Sequence, residues 1–201
     1  MQAINDLPPA TRKRLVQLEE LLKSWSEEKI TSAKICELTG WKDSLVRHDL
    51  WLIGHTARGW KNGYSTANLL AEVQSINKSG TQNVCIAGLG RLGAALLDET
   101  FFGGSQFVIK AGFDSNVNRV EILRSTFPLY PASDMNWVIK QEKITLAILA
   151  VAEKDAQQMC DRLVKAGITG IVNMTRCVLR VPENVKVENL SILNSLKIVG
   201  L

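Results

Sequence analysis

The chain of 201 residues lacks any apolar run near the roughly 18–20 residues that a membrane-spanning helix requires, so no spanning segment is expected. Its first residues, MQAINDLPPATRKR, carry neither the apolar stretch nor the small-residue cleavage site of a secretory signal. A cytoplasmic location is therefore the expectation. Cysteine is sparse: Cys36, Cys85, Cys160 and Cys177 lie far apart, with no C-x-x-C pair. A zinc knuckle or a thioredoxin-like centre needs such a pair, so neither is expected, and four reduced, buried thiols are. Histidine is scarcer still, with only His48 and His55. No metal site is expected. Internal repeats and low-complexity tracts are missing too.

What is present is the balance of a globular protein, 46% hydrophobic and 22% charged, with a net charge of +4. The positive excess is local. Between Lys29 and Lys61 stand six basic residues (Lys29, Lys34, Lys42, Arg47, Arg58 and Lys61) against Glu37, Asp43 and Asp49, and both histidines fall in the same stretch. Such an excess suits nucleic acid without demanding it.

The N-terminal part has helical periodicity. Ala10 to about Ser26 carries Leu15, Leu18, Leu21, Leu22 and Trp25 on one stripe. Thr31 or Ser32 can cap a second helix through Leu38, which Thr39-Gly40 ends. A third helix is expected from about Asp43 to Leu52, capped by Asp43 or Ser44. Its Leu45, Leu50 and Leu52 face inward, and Lys42, Ser44, Arg47, His48 and Trp51 are left partly outward. Helix, short glycine turn, helix is the helix-turn-helix arrangement. Gly54 to Tyr64, with three glycines among basic and aromatic residues, suits a compact hairpin, and a basic hairpin after such a helix is a wing. A short helix from Thr66 to about Ile76 leads into a polar linker, Asn77 to Asn83.

On this reading Lys42, Ser44, Arg47 and His48 are candidates for base or phosphate contact, and Arg58 and Lys61 for contact from the wing. Arg47 has an alternative partner in Asp43 or Asp49. Trp51 and Trp60 are expected to pack rather than to stack on DNA.

Beyond the linker, strand and helix alternate. Strands are expected at Val84–Ala87, Phe107–Phe113, Pro128–Tyr130, Leu146–Val151 and Gly170–Val172. The helices are Arg91 to about Glu99, Asn118–Ser125, Asp134–Glu142 and Asp155–Ala166. This alternation argues a parallel, doubly wound sheet. Gly88-Leu89-Gly90-Arg91-Leu92-Gly93 joins the first strand to its helix, and Asp114 ends the second strand 21 residues beyond Gly93.

In that context G-x-G-x-x-G has a mechanism. Gly88 permits the tight turn, Gly90 lets backbone approach a pyrophosphate, and Gly93 allows close helix–strand packing. Amides opening the helix face the phosphates. Asp114 can accept from ribose hydroxyls and would repel a 2′-phosphate, which favours NAD(H) over NADP(H), although Asn118 and Arg119 lie nearby. Ala150 and Val151, at the end of the apolar strand, complete the candidate set.

No chemistry set accompanies this fingerprint. The strands and helices consume about Asn83 to Val187, both histidines lie far off in sequence, and Tyr130, Lys154 and Lys165 are more simply surface or strand-end residues. No catalytic residue is assigned. A sensor that binds dinucleotide without turning it over fits best; the alternative is a small NAD-dependent oxidoreductase with an N-terminal helical appendage.

Taken together, the two halves resemble the Rex redox-sensing transcriptional repressors. The residues that carry the resemblance are Pro9 to Leu15, Thr31 to Gly40, Val46-Arg47-His48-Asp49-Leu50, Gly88 to Gly93 and Phe113-Asp114. Leu146 to Val151, Ala166-Gly167-Ile168, Ile171 to Thr175 and Leu179 to Glu183 follow in the family's order. The resemblance implies an α/β chain: a winged helix-turn-helix DNA-binding domain (1–78), a Rossmann-like NAD(H)-binding domain (79–188) and a dimer-contacting C-terminal helix (189–201). It implies a homodimer on a palindromic operator in double-stranded DNA that leaves when NADH binds. After Leu50 the chain departs from the family's usual Ser-Tyr-Phe-Gly with Trp51-Leu52-Ile53-Gly54, and it has Thr175-Arg176 where an Ala/Thr-Pro is usual.

Overall fold

The computed structural model describes residues 7–54, 63–77 and 80–200. The chain divides into two compact units, residues 1–79 and 80–201.

In the first unit, α1 (Pro9–Ser24) opens with proline, whose fixed φ suits the first turn, and its Leu15, Leu18 and Leu22 are buried. Each such leucine contributes about 1.5–3 kcal/mol by leaving water. A two-residue strand, β1 (Lys29–Ile30), precedes α2 (Ser32–Thr39). Thr31 Oγ1 caps α2 by accepting from Lys34 N–H at 3.1 Å, and Gly40, at φ 72°, ends it in the left-handed region. Next come α3 (Asp43–Leu52), β2 (Tyr64–Ser65) and α4 (Thr66–Asn77). β1 and β2 pair antiparallel, a contact too short to be visible as a strand pattern in sequence. The expected wing lies almost wholly in 55–62, outside the described residues, and with it Arg58 and Lys61.

α3 differs from expectation in its rotation. The buried residues are Val46, Asp49 and Leu50, with Ile53 just beyond, whereas Leu45 is exposed and Leu52 half-buried. The cause is an ion pair. Asp49 accepts from Arg14 at both carboxylate oxygens, 2.5 Å at Oδ2 and 2.8 Å at Oδ1, and from Thr11 Oγ1 at 2.9 Å, so a carboxylate is pinned where a leucine was expected. This contact raises the Arg14 pKa above its ordinary value through the hydrogen bond to Asp49. The helix start also differs: Lys42 holds the cap position, without a side-chain cap.

The second unit is a six-stranded parallel sheet. Its elements in chain order are β3 (Gln82–Ala87), α5 (Arg91–Ala95), β4 (Phe107–Asp114), α6 (Val117–Ile122), β5 (Leu129–Pro131), α7 (Met135–Gln141), β6 (Leu146–Leu149), α8 (Glu153–Ala166), β7 (Gly170–Asn173), β8 (Lys186–Asn189) and α9 (Ile192–Val199). The strand order is β5-β4-β3-β6-β7-β8, every neighbouring pair parallel. The chain therefore winds outward one way from β3 and then the other way from β6. The gap between β3 and β6 is the switch point at which ligands of open α/β sheets bind.

Alternation along β3 sends Cys85 and Ala87 into one core layer with Met135, Val138, Ile139, Met159 and Leu163, and Val84 and Ile86 into the other with Leu89, Leu97, Ile109 and Ile148. The register steps from Val84↔Ile109 to Cys85↔Ala111, leaving Lys110 without a counterpart on β3.

Three differences from the sequence reading are physical. Gln82 and Asn83 belong to β3, not to a linker, because Asn83 Nδ2 finds Glu142 O at 2.6 Å. The helix after the glycine turn stops at Ala95 rather than running to Glu99. Leu97 is buried in the core there, and Asp98 accepts from Thr100 N–H at 2.9 Å to start a separate 3₁₀ turn at Glu99–Phe102. The tail supplies a sixth strand that was not anticipated. β8 takes Asn189 into the sheet, and α9 is confined to Ile192–Val199, capped by Ser191. β8 is mostly exposed, so it carries little apolar alternation to betray it.

Among the cysteines, Cys85 and Cys160 are buried as expected, but Cys36 and Cys177 are only half-buried. All four are free thiols.

Candidate functional site

The glycine turn follows β3 at the switch point. Gly88 has φ +97°, a left-handed conformation natural to glycine, and a Cβ there would stand 2.6 Å from Ala150 O. A Cβ on Gly93 would stand 1.8 Å from Gly88 O, so the helix lies directly against the turn. Both glycines are demanded by the protein itself. Gly90 is not: a Cβ there would meet nothing within 4 Å, and its φ of −69° suits any residue. Nothing within the described polypeptide requires glycine at this position.

The amides divide in the same way. Gly88 N–H donates to Phe113 O at 2.8 Å, and Leu89 N–H to Asp114 Oδ2 at 2.7 Å. Leu89 is also buried in the core, so its side chain and its amide both anchor the turn. The first intrahelical bond is Ala94 N–H to Gly90 O at 2.8 Å. The amides of Arg91, Leu92 and Gly93 precede that ladder and are open by helix geometry. With only five residues in α5, the turn's amides supply more of the local field than a macrodipole does.

Asp114, buried at the end of β4, already serves several partners within the chain. Besides Leu89 N–H, it accepts from Asn116 N–H at 2.7 Å and Arg119 Nη1 at 3.3 Å. A carboxylate offers about four acceptor sites, so one remains, on Oδ1. Arg119, the nearby cation in the sequence, is thus tied to the carboxylate.

Ala150 lies just past β6, with its N–H on Ala87 O at 2.8 Å, and Val151 Cγ1 lies 2.7 Å from where a Gly88 Cβ would stand. The structure therefore brings Gly88, Gly90, Gly93, Asp114, Ala150 and Val151 to one edge of the sheet. Arg91 and Leu92 open α5 with exposed side chains.

Sequence reasoning missed the neighbouring lock. Asn173 is fully buried at the end of β7: its Nδ2 donates to Cys177 O at 2.9 Å and Asn189 Oδ1 at 2.8 Å, and its Oδ1 accepts from Thr175 N–H and Oγ1. The following Arg176 pairs with Glu153, joining the loop after β7 to the start of α8.

In the first unit, α3 presents Ser44, Arg47 and His48 along one face, after exposed Lys42. Arg47 pairs with Asp43 at 2.8 Å, one of the two partners anticipated, while Asp49 is committed to Arg14. Trp51 is 61% exposed and does not pack as expected; His48 approaches its ring at 6.3 Å between centroids. Trp60 lies outside the described residues.

Comparison with known proteins adds the family. Residues 79–177 match the family described as a CoA binding domain. The redox-sensing transcriptional repressor Rex of Limosilactobacillus reuteri is 33% identical over 95% of this chain and 91% of its own. The crystal structure of RSP, a Rex-family repressor, superposes with a TM-score of 0.86 at 29% identity, covering 96% of this chain and 92% of that one. The same protein in complex with β-NAD+ and operator DNA gives the same score and identity, over 96% and 91%. With identity at this level spread over both units, the chain belongs to the Rex family of redox-sensing transcriptional repressors.

Proposed function

We propose that this protein is an NAD(H)-responsive, DNA-binding repressor that senses the NADH/NAD+ ratio and leaves its operator when NADH binds. The observation that carries the reading is Gly90. In a turn whose other glycines are fixed by the fold, it opens onto free space beside the amides of Arg91, Leu92 and Gly93. A dinucleotide pyrophosphate would rest there, Asp114 would take a ribose hydroxyl, and Ala150 and Val151 would line the far wall. NAD(H) supplies a nicotinamide whose oxidation state is read, not used for turnover; this chain's residues hold and orient it. A 2′-phosphate would meet Asp114, which disfavours NADP(H). The relatives are named as repressors, and nothing favours the oxidoreductase alternative over them.

The DNA-reading element is α3. Lys42, Ser44, Arg47 and His48 supply its groove contacts, and Arg58 and Lys61 are assigned to the wing. The working organisation is 1–78 for DNA, 79–188 for nucleotide and 189–201 for contact with a second copy. Support for that last role is α9 itself, where Ile192, Leu193, Leu196, Ile198 and Val199 are all exposed, an apolar helix bare on its own chain. Covering it with a second copy removes that surface from water. Two copies would set two recognition helices about one duplex turn apart, hence a palindromic operator. No described helix is long and apolar enough to cross a membrane, and a cytoplasmic site of action fits the reading.

Titration of NADH by fluorescence tests the carrying observation. Gly90→Ala should weaken binding while leaving the protein folded; undiminished affinity would remove the pyrophosphate from this turn.

A further inference from the structure

An indole left in water exposes a large apolar area, and the first unit treats its described tryptophans unequally. Trp25 donates its indole N–H to Lys29 O at 3.2 Å, and Trp41 packs against the core. Trp51 is left 61% exposed on α3. Positions 44, 47, 48 and 51 differ by threes and fours, so Ser44, Arg47, His48 and Trp51 share one helical face. The opposite face, Val46, Asp49 and Leu50, is buried, and the grip of Arg14 on Asp49 prevents the helix from rolling to hide the ring. Trp51 is thereby fixed outward at the end of a basic stripe.

We propose that Trp51 is a specificity-determining residue that packs its indole against the C5-methyl group of a thymine in the major groove, alongside contacts from Arg47 and His48. The inference rests on the reading of α3 as the DNA-reading helix. Charge selects the occupant: His48 approaches the ring at 6.3 Å between centroids, Arg47 stands one helical turn before it, and the acid on that face, Asp43, is already paired with Arg47. Chemistry selects the base. The only apolar group that the major groove presents is the thymine methyl, so an exposed apolar ring entering the groove has one good match.

The full-length chain, with NAD+ present, is used to select duplexes from a random-sequence library, in parallel with Trp51→Ser. In the selected duplex each thymine is then replaced in turn by deoxyuridine, which lacks only the methyl. One thymine per half-site should prove sensitive, its replacement weakening wild-type binding about fourfold, the worth of one buried methyl group. Trp51→Ser should be indifferent to that replacement and lose the preference at that base while keeping the rest of the half-site. Because the ring is exposed, the variant should melt with the wild type; Trp51→Phe, which keeps an apolar ring, should retain part of the preference. If both proteins select one sequence with equal sensitivity to uracil, the role of Trp51 is overturned while DNA binding by α3 stands. If the wild type enriches no sequence, the DNA-reading assignment itself fails, and this inference with it.

Discussion

Two glycines three positions apart separate what the fold requires from what the proposed ligand would require. A Cβ on Gly93 would sit 1.8 Å from Gly88 O, so Gly93→Ala should cost at least about 3 kcal/mol of stability, read by thermal or denaturant unfolding. Gly90→Ala meets no neighbour and should change stability by less than about 1 kcal/mol. Its NADH affinity should nevertheless fall about tenfold or more, as expected when charge-assisted hydrogen bonds from the turn to phosphate are displaced. Equal effects of the two substitutions on stability would contradict this division.

The cysteines make a second test. Burial pushes the Cys85 thiol from 9.0 up to about 12. Because its folded value is raised, the associated stability is intact below the unfolded value and is lost as pH rises from 9.0 toward about 12, where the unfolded chain releases the proton first. Melting temperatures should fall across that window, and less steeply in Cys85→Ala. A thiol reagent at neutral pH should modify Cys36 and Cys177 in the native protein, and Cys85 and Cys160 only after unfolding.

Elements show where the sequence speaks and where it falls silent. Strands buried on both faces, such as β6, and helices with strong apolar stripes, such as α8 ended by Gly167, were plain in the residue pattern. β1, β2 and β8 were not: two are two residues long, the third is mostly exposed, and neither kind carries a period. The rotation of α3 was hidden for another reason. Leucines at 45 and 52 outbid an aspartate by hydrophobicity alone, and only a partner 35 positions away, Arg14, reverses the outcome. Asp49→Ala should therefore destabilise the first unit by about 3–5 kcal/mol by leaving Arg14 uncompensated, measured by denaturant unfolding. A loss below about 1 kcal/mol would mean the pair does not set the helix. The glycine turn was legible because its glycines and its acid obey a spacing; the several bonds of Asp114 and the burial of Leu89 depend on geometry that spacing does not encode. With α9 covered by a second copy, as proposed, Leu196→Glu should leave monomer stability unchanged and convert dimers to monomers in sedimentation, since the side chain is 63% exposed on its own chain.

On the proposed reading, the whole molecule couples DNA contact in the first unit to nucleotide in the second. Phosphate contacts make DNA binding fall with added salt, so a steep salt dependence should accompany α3 binding. NADH can release DNA only if it favours the arrangement of the chain that binds DNA weakly, and by linkage operator DNA must weaken NADH binding by the same factor. The decisive measurement is fluorescence anisotropy of a labelled selected duplex bound by the full-length protein, titrated with NADH and, separately, with NAD+. NADH should release the duplex at concentrations where NAD+ leaves it bound, and Gly90→Ala should demand more NADH. A signal indifferent to both coenzymes would contradict the account.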